Sequence, residues 1–188
     1  TRFRPGVWAK LVRSTMFTSK TVGLSLAITF ATFAYAAESP NLGTLASAAE
    51  IAAYDLTVMP DGTGLPVGSG SVAQGMRLYT EQCLACHGTE GEGGLNDRLA
   101  GGHGSLATPA PVKTIGSFWP YATTLFDYIR RAMPYTEPGS LSSDEIYSLT
   151  AYLLYINGVV DDEAVMDARV LPEVVMPNGD NFVWAYEP

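Results

Sequence analysis

The stretch Ser71-Val72-Ala73-Gln74-Gly75-Met76-Arg77-Leu78-Tyr79-Thr80-Glu81-Gln82-Cys83-Leu84-Ala85-Cys86-His87 decides how the rest of the chain is read. Ser71 with Gln74 three residues on has the form of a capping box, which satisfies two of the free N–H groups at a helix start. The helix it opens is expected to run through Gly75, Met76, Leu78 and Tyr79 into Cys83-Leu84-Ala85-Cys86-His87. Cys-x-x-Cys-His is the attachment signature of c-type haem: each thiol adds to a vinyl group and the histidine binds iron. On a helix, sulfurs three positions apart lie on one face, along one edge of the porphyrin, with the next imidazole in reach of the metal. A redox dithiol would call for a strand-helix-strand setting, which is missing around Cys83. A zinc site would need further ligands, and His103 is the only other histidine. The motif occurs once, so one covalent haem c is expected, held by Cys83 and Cys86 with His87 on the iron.

Gly75 sits inside that helix, where glycine is costly unless another backbone or a ring approaches closely. The partner is expected in a second strong helix. Ser142 with Glu145 repeats the capping box, Ile146, Leu149, Tyr152, Leu153 and Ile156 recur at helical spacing, and Asn157-Gly158 supplies the stop. Gly75 and Tyr79 against Tyr152 resembles the helix pair of class I cytochromes c. A third helix, about Ala122 to Arg131, turns Leu125, Phe126 and Ile129 inward. The expected fold is all-α, a class I cytochrome c fold with extended N- and C-terminal straps.

Electron transfer at low rearrangement cost asks for a second axial ligand, and methionine opposite histidine raises the potential. Met133 is the favoured ligand. It lies in Arg130-Arg131-Ala132-Met133-Pro134-Tyr135, between the third helix and the last, and Pro134 stiffens the loop that carries it. Met176 and Met59 also precede prolines, and His103 offers bis-histidine ligation. Met76 and Met166 read as core or surface residues, since methionine is commonly a filler. Trp119 and Tyr121 are candidate donors to the haem propionates, with Lys113 or Arg98 nearby, and are equally readable as core aromatics.

The outer parts of the chain fix its compartment and charge. The 188 residues carry a net charge of −8, with 47% apolar and 16% charged residues, room for one compact domain plus extensions. Residues 1–36 hold Arg2, Arg4, Lys10, Arg13 and Lys20 and no acidic residue; the remainder has six basic against nineteen acidic residues, a net −13. A basic start, an uncharged apolar run of 17 residues from Thr21 to Ala37 and Ala34-Tyr35-Ala36 are the three parts of a secretory signal peptide. Cleavage after Ala36 and export to the periplasm are expected, with Met16 as a fitting start of the leader; an uncleaved leader would anchor the protein at the inner membrane. The run falls short of the 18 or so apolar residues of a typical spanning helix. The acidic balance excludes a nucleic-acid binder, whose basic patch must neutralise phosphates, and favours a basic patch on a partner. The organisation expected is a leader over 1–36, an N-terminal strap over 37–70, a haem domain over 71–158 and a C-terminal strap over 159–188. The straps are Pro- and Gly-rich, and Trp184 and Tyr186 suit a docking surface.

Several further segments carry a family resemblance. Asn41-Leu42-Gly43, Glu50-Ile51-Ala52-Ala53-Tyr54-Asp55, Asp61-Gly62-Thr63-Gly64-Leu65-Pro66 and Gly68-Ser69-Gly70-Ser71-Val72-Ala73 lie before the haem motif. Lys113-Thr114-Ile115-Gly116-Ser117, Tyr121 to Ile129, Asp144 to Tyr152 and Leu171 to Gly179 lie after it. From about Pro40 to Phe182 the chain resembles the first cytochrome domain of the cytochrome subunit of sulfane (sulfur) dehydrogenase, from the bacterial Sox system of thiosulfate oxidation. The resemblance implies that Met133, in the matching Arg-Ala-Met-Pro segment, is the axial ligand. It also implies a molybdenum-containing dehydrogenase subunit, acting on sulfane sulfur or in close relatives on sulfite, as electron donor, and another cytochrome downstream as acceptor. Fuller members carry a second Cys-x-x-Cys-His, absent here, and the donor is left open among sulfane, sulfite and other periplasmic dehydrogenases. On this reading the chain is an electron-transfer subunit with no catalytic residue of its own. The alternatives are a free or membrane-tethered monohaem carrier serving several donors, and a haem sensor or peroxidase with a displaceable axial ligand.

Overall fold

The structure, a computed structural model, describes residues 42–183. The leader, Trp184 and Tyr186 lie outside the described residues. From Leu45 onward the described residues form one compact unit. Its elements are α1 (Ala48–Tyr54), β1 (Ser69–Ser71), α2 (Val72–Gln82), α3 (Leu84–His87), α4 (Ala122–Ala132), α5 (Ser143–Ile156) and β2 (Val165–Asp167), with short 3₁₀ turns at Ser105–Ala107, Leu171–Glu173 and Gly179–Asn181. The fold is all-α, a class I cytochrome c fold.

The helices begin and end where their side chains dictate. Ser71 Oγ accepts from the Gln74 N–H at 3.3 Å while Gln74 Oε1 accepts from the Ser71 N–H at 2.9 Å. Ser142 and Glu145 do the same at the start of α5. α5 stops at Asn157, followed by Gly158 at φ 67°, a conformation glycine adopts without steric cost.

α2 crosses α5 at Gly75. A Cβ there would collide with the Ser148 carbonyl and come within 2.7 Å of Tyr152 Cβ, so only glycine lets the backbones approach. Beside the crossing, the Tyr79 and Tyr152 rings meet at 5.1 Å. α4 packs on the next face of α5, with Phe126 against Tyr147 at 4.5 Å between ring centroids. Leu125, Phe126, Ile129, Leu149, Leu153 and Leu154 are buried around these contacts. Each contributes roughly 1.5–3 kcal/mol of transfer free energy when fully covered.

Two features depart from the sequence reading. The helix opened by Ser71 does not continue through the cysteine motif: it ends at Gln82, and Cys83 caps both α2 and the single turn α3. The N-terminal strap is not wholly extended. Ser47 and Glu50 form a third capping box and open α1, every residue of which is exposed. The signal, Ser-x-x-Glu, is the one that marked α2 and α5.

The N-terminal strap is tied down by polar groups of α4 and α5. Asp127 accepts from the Val58 N–H (3.2 Å), Arg130 donates to the Leu56 carbonyl (3.3 Å), the Tyr147 hydroxyl donates to the Pro66 carbonyl (2.9 Å) and Asp144 accepts from the Ser69 N–H (2.8 Å). Segments with no ladder of their own thereby satisfy backbone groups against helix side chains. The straps also join each other, since β1 and β2 pair antiparallel with Gly70 opposite Met166. Gly70 passes so close to α5 that a Cβ would strike the backbone and hydroxyl of Ser148. From the C-terminal strap, Met166, Leu171 and Met176 enter the core.

Candidate functional site

Beside the helix contacts, the end of α2, the inner faces of α4 and α5 and the loops between them leave an opening. The resulting cavity, about 740 Å³, is lined by Cys83, Cys86 and His87 on one side and by Met133 and Pro134 among its other walls. That volume falls in the roughly 300–1,000 Å³ range of small-molecule and cofactor sites.

The cysteine side of the cavity is built by backbone hydrogen bonds. The Cys83 N–H caps α2 by donating to the Tyr79 carbonyl (2.9 Å), and the Cys83 carbonyl accepts from the N–H groups of Cys86 (3.1 Å) and His87 (3.0 Å). This tight turn brings both thiols to the cavity although the helix has broken. Both are free and half-buried. Burial, reinforced by Cys86, pushes the Cys83 thiol up to about 11, as expected of a sulfur facing apolar walls.

Loop 88–101 folds back over the motif. The Tyr79 hydroxyl donates to the Gly88 carbonyl (2.8 Å), the Gly93 N–H to His87 O (2.9 Å) and the Asn96 N–H to Cys86 O (2.9 Å). Its main consequence is at His87. Nδ1 lies 2.8 Å from the Asp97 carbonyl oxygen. A carbonyl only accepts, so Nδ1 carries the proton and Nε2 is left as the lone-pair nitrogen for a metal.

Met133 is the residue at which α4 ends. Its N–H still donates to the Ile129 carbonyl (3.1 Å), but its backbone is extended at φ −125°, ψ 144°. The following peptide bond to Pro134 is cis. Between the two sides the walls are apolar: Leu99 and Ile115 from the loops, Leu125 and Ile129 from α4, Leu149 and Leu153 from α5. Trp119, Lys113 and Arg98 also line the cavity. Arg98 is held through a bond from Nε to the Glu92 carbonyl (3.0 Å), and Lys113 Nζ sits 4.9 Å from the Phe118 ring centroid.

The sequence candidates therefore divide. Cys83, Cys86, His87, Met133 and Trp119 share the cavity; Tyr121, the residue before α4, is not among its lining residues. Met176 is buried in the core without lining the cavity, His103 is exposed away from it, and Met59 is exposed at 48%. Met166 is a buried strand residue and Met76 is exposed. Sequence reasoning passed over the Asp97 carbonyl, which no residue type advertises, and the side chain of Asn157, read there only as a helix stop.

The residues present fit a covalently attached haem. Two free thiols and an imidazole with a free Nε2 lone pair lie on one wall, a thioether lines the same space, apolar side chains form much of the lining, and two basic side chains are available for acidic groups. Among the described residues no group of three or more His, Cys, Asp or Glu side chains is arranged to hold a bare metal ion, and no helix is long and apolar enough to cross a membrane.

Residues 70–153 match the domain family described as cytochrome c oxidase, cbb3-type, subunit III. A chain in the crystal structure of the sulfane dehydrogenase SoxCD from Paracoccus pantotrophus is 47% identical, with a TM-score of 0.72 over 77% of this chain and 72% of that one. Thiosulfate dehydrogenase of Stutzerimonas stutzeri (strain A1501) is 33% identical over 91 residues, and that of Psychrobacter arcticus is 30% identical over 108. The chain spans only 28% and 32% of the length of these two relatives. Taken with the haem-motif geometry, the match to the solved sulfane dehydrogenase shows that this chain belongs to the family of c-type cytochromes to which the cytochrome subunit of that enzyme belongs.

Proposed function

We propose that the protein is a periplasmic monohaem c-type cytochrome that carries electrons from a molybdenum-containing sulfane or sulfite dehydrogenase subunit to a downstream cytochrome. The observation that carries this reading is the convergence of Cys83, Cys86, His87 and Met133 on one apolar cavity. Cys83 and Cys86 would hold one haem c as thioethers, and His87 Nε2 and Met133 Sδ would ligate its iron. Such a haem supplies a one-electron iron couple. The chain's own residues would set its properties: the Asp97 carbonyl fixes the His87 tautomer, Met133 would favour the reduced state, and Leu125, Ile129, Leu149 and Leu153 would give the metal an apolar surrounding. Trp119, Lys113 and Arg98 are suited to the propionates. Residues 71–158 form the haem domain, flanked by the segments 37–70 and 159–188, and residues 1–36 act as the export leader.

Membership in a family that includes the sulfane dehydrogenase cytochrome subunit supports a molybdenum dehydrogenase as donor. Copurification from the native host tests it. A stable complex containing molybdenum, in which addition of the sulfur substrate reduces the haem, is the expected result. A monomer reduced equally by unrelated dehydrogenases would establish the general-carrier reading in its place.

A further inference from the structure

We infer that Asn157 is a positioning residue for the iron ligand His87, acting through the segment 97–101. The inference rests on the reading of His87 as an axial ligand.

Asn157 is buried at 3% exposure just beyond α5, and all four hydrogen-bonding capacities of its amide are used. Oδ1 accepts from the N–H groups of Gly101 (3.3 Å) and Gly116 (3.2 Å); Nδ2 donates to the carbonyls of Leu99 (3.2 Å) and Leu153 (2.8 Å). The two N–H groups and two carbonyls fix the amide orientation, because a flipped amide would oppose all four.

These partners come from three separate parts of the cavity wall. Leu153 belongs to α5, Gly116 follows the lining residues Thr114 and Ile115, and Leu99 and Gly101 end the loop that returns from the haem motif. Besides the amide, the two loops are joined by the Ile115 N–H, which donates to Leu99 O at 3.2 Å, and by the Thr114 hydroxyl, which donates to the Gly101 carbonyl. A Cβ on Gly116 would approach within 2.5 Å of Asn157 Oδ1 and 2.8 Å of His103 Cε1, so the loop backbone is held hard against the amide.

Leu99 connects this clamp to the metal side. Its N–H donates to the Gly91 carbonyl (2.8 Å) and its carbonyl is the one Asn157 holds, so both peptide planes of Leu99 are fixed. Two residues earlier is Asp97, whose carbonyl accepts the hydrogen bond from His87 Nδ1–H. Loss of the clamp leaves the Leu99 carbonyl held by the Ile115 N–H alone and loosens the segment that presents the Asp97 carbonyl to the imidazole. Partners of this kind orient a ligating histidine and set its basicity. Asn157 reaches that role from the far end of α5, without touching His87.

The test is hydrogen exchange of the His87 ring Nδ1 proton, followed by NMR in reduced holoprotein, for the wild type, Asn157→Ala and Ile146→Val. Ile146 is buried near the opposite end of α5 and does not line the cavity, so its variant reports general loosening of the helix. The expected result is ring-proton exchange at least tenfold faster in Asn157→Ala than in Ile146→Val at equal global stability, matched with denaturant. Equal exchange in the two variants would overturn the inference. Should Asn157→Ala not mature, wild-type holoprotein decides: the Gly101 and Gly116 amide protons and the His87 ring proton are expected to become exchangeable in one opening as denaturant is raised below the unfolding transition. A ring proton released through a separate, earlier opening overturns the coupling. Wild-type protein that carries no covalent haem when matured would instead fail the proposed function, and is recognised by its absorbance before any exchange is measured.

Discussion

The rings of Tyr79 and Tyr152 lie 5.1 Å apart with their planes inclined at 51°, directly beside the point where Gly75 lets α2 pass over α5. The pair links the helix that leads into the haem motif to the helix that forms the opposite side of the core. Both hydroxyls are held above the ordinary tyrosine range, chiefly by burial, and the Tyr79 hydroxyl reaches on to the Gly88 carbonyl at the start of the returning loop. The crossing therefore braces the cysteine side of the cavity as well as the core.

Gly75→Ala is expected to destabilise the protein by roughly 1–3 kcal/mol, the usual cost of overpacking a close contact. A clash with the Ser148 backbone cannot be relieved by a side-chain rotation. Denaturant unfolding of the holoprotein measures the loss. Covalent haem and its absorbance are expected to survive, because Gly75 does not line the cavity; full wild-type stability would mean that the crossing is looser than described.

Met133→Ala is expected to retain covalent haem through Cys83 and Cys86 while losing the methionine-iron charge-transfer band and lowering the reduction potential, since the thioether favours the reduced iron. Met176→Leu and His103→Ala are expected to leave both readouts in place, because neither residue lines the cavity. Spectroelectrochemistry of the three variants distinguishes the ligands: an unchanged potential in Met133→Ala would move the assignment to Met176 or His103.

Stability is expected to fall in acid in a way that Ser142→Ala weakens. Hydrogen bonds from Ser142 hold the Glu145 carboxyl below its ordinary value of 4.5, and Ser47 does the same for Glu50 at the start of α1. The unfolded chain then binds protons more readily than the folded one. The caps contribute fully above the ordinary carboxylate range, and the contribution is lost as pH drops through the depressed folded value. At neutral pH Ser142→Ala is expected to cost about 1 kcal/mol, the usual value of such a cap. Both effects are read from denaturant midpoints between about pH 3 and pH 7; an unaltered acid slope in the variant would remove Glu145 from the account.

Much of this was legible because local sequence and local structure obey the same short-range rules. Ser71-x-x-Gln74 and Ser142-x-x-Glu145 predicted two helix starts that the capping hydrogen bonds reproduce. Gly75 signalled a close approach, and the spacing of Leu125, Phe126 and Ile129 gave the buried face of α4. Ser47-x-x-Glu50 carries the same signal for α1, inside a segment whose proline and glycine content points to extended chain. The helix does not run on through Cys83: the turn that presents the two thiols depends on Cys83 sitting between α2 and α3, which periodicity does not register.

The sequence by itself determined the chemistry on offer: two thiols and an imidazole at haem spacing, helices with marked ends, and a chain whose basic residues cluster before its acidic ones. Three methionines stand before prolines, at 59, 133 and 176, and locally they are alike. Tertiary structure alone left Met59 exposed, sank Met176 in the core and put Met133 on the cavity. It also separated Trp119 from Tyr121, paired β1 with β2 across some hundred residues, brought the Asp97 carbonyl to His87 and gathered four backbone groups around Asn157. The reason is physical. A cap or an amphipathic face is encoded by residue types three or four apart, whereas a backbone carbonyl is the same in every residue and acquires a role only from where the folded chain carries it.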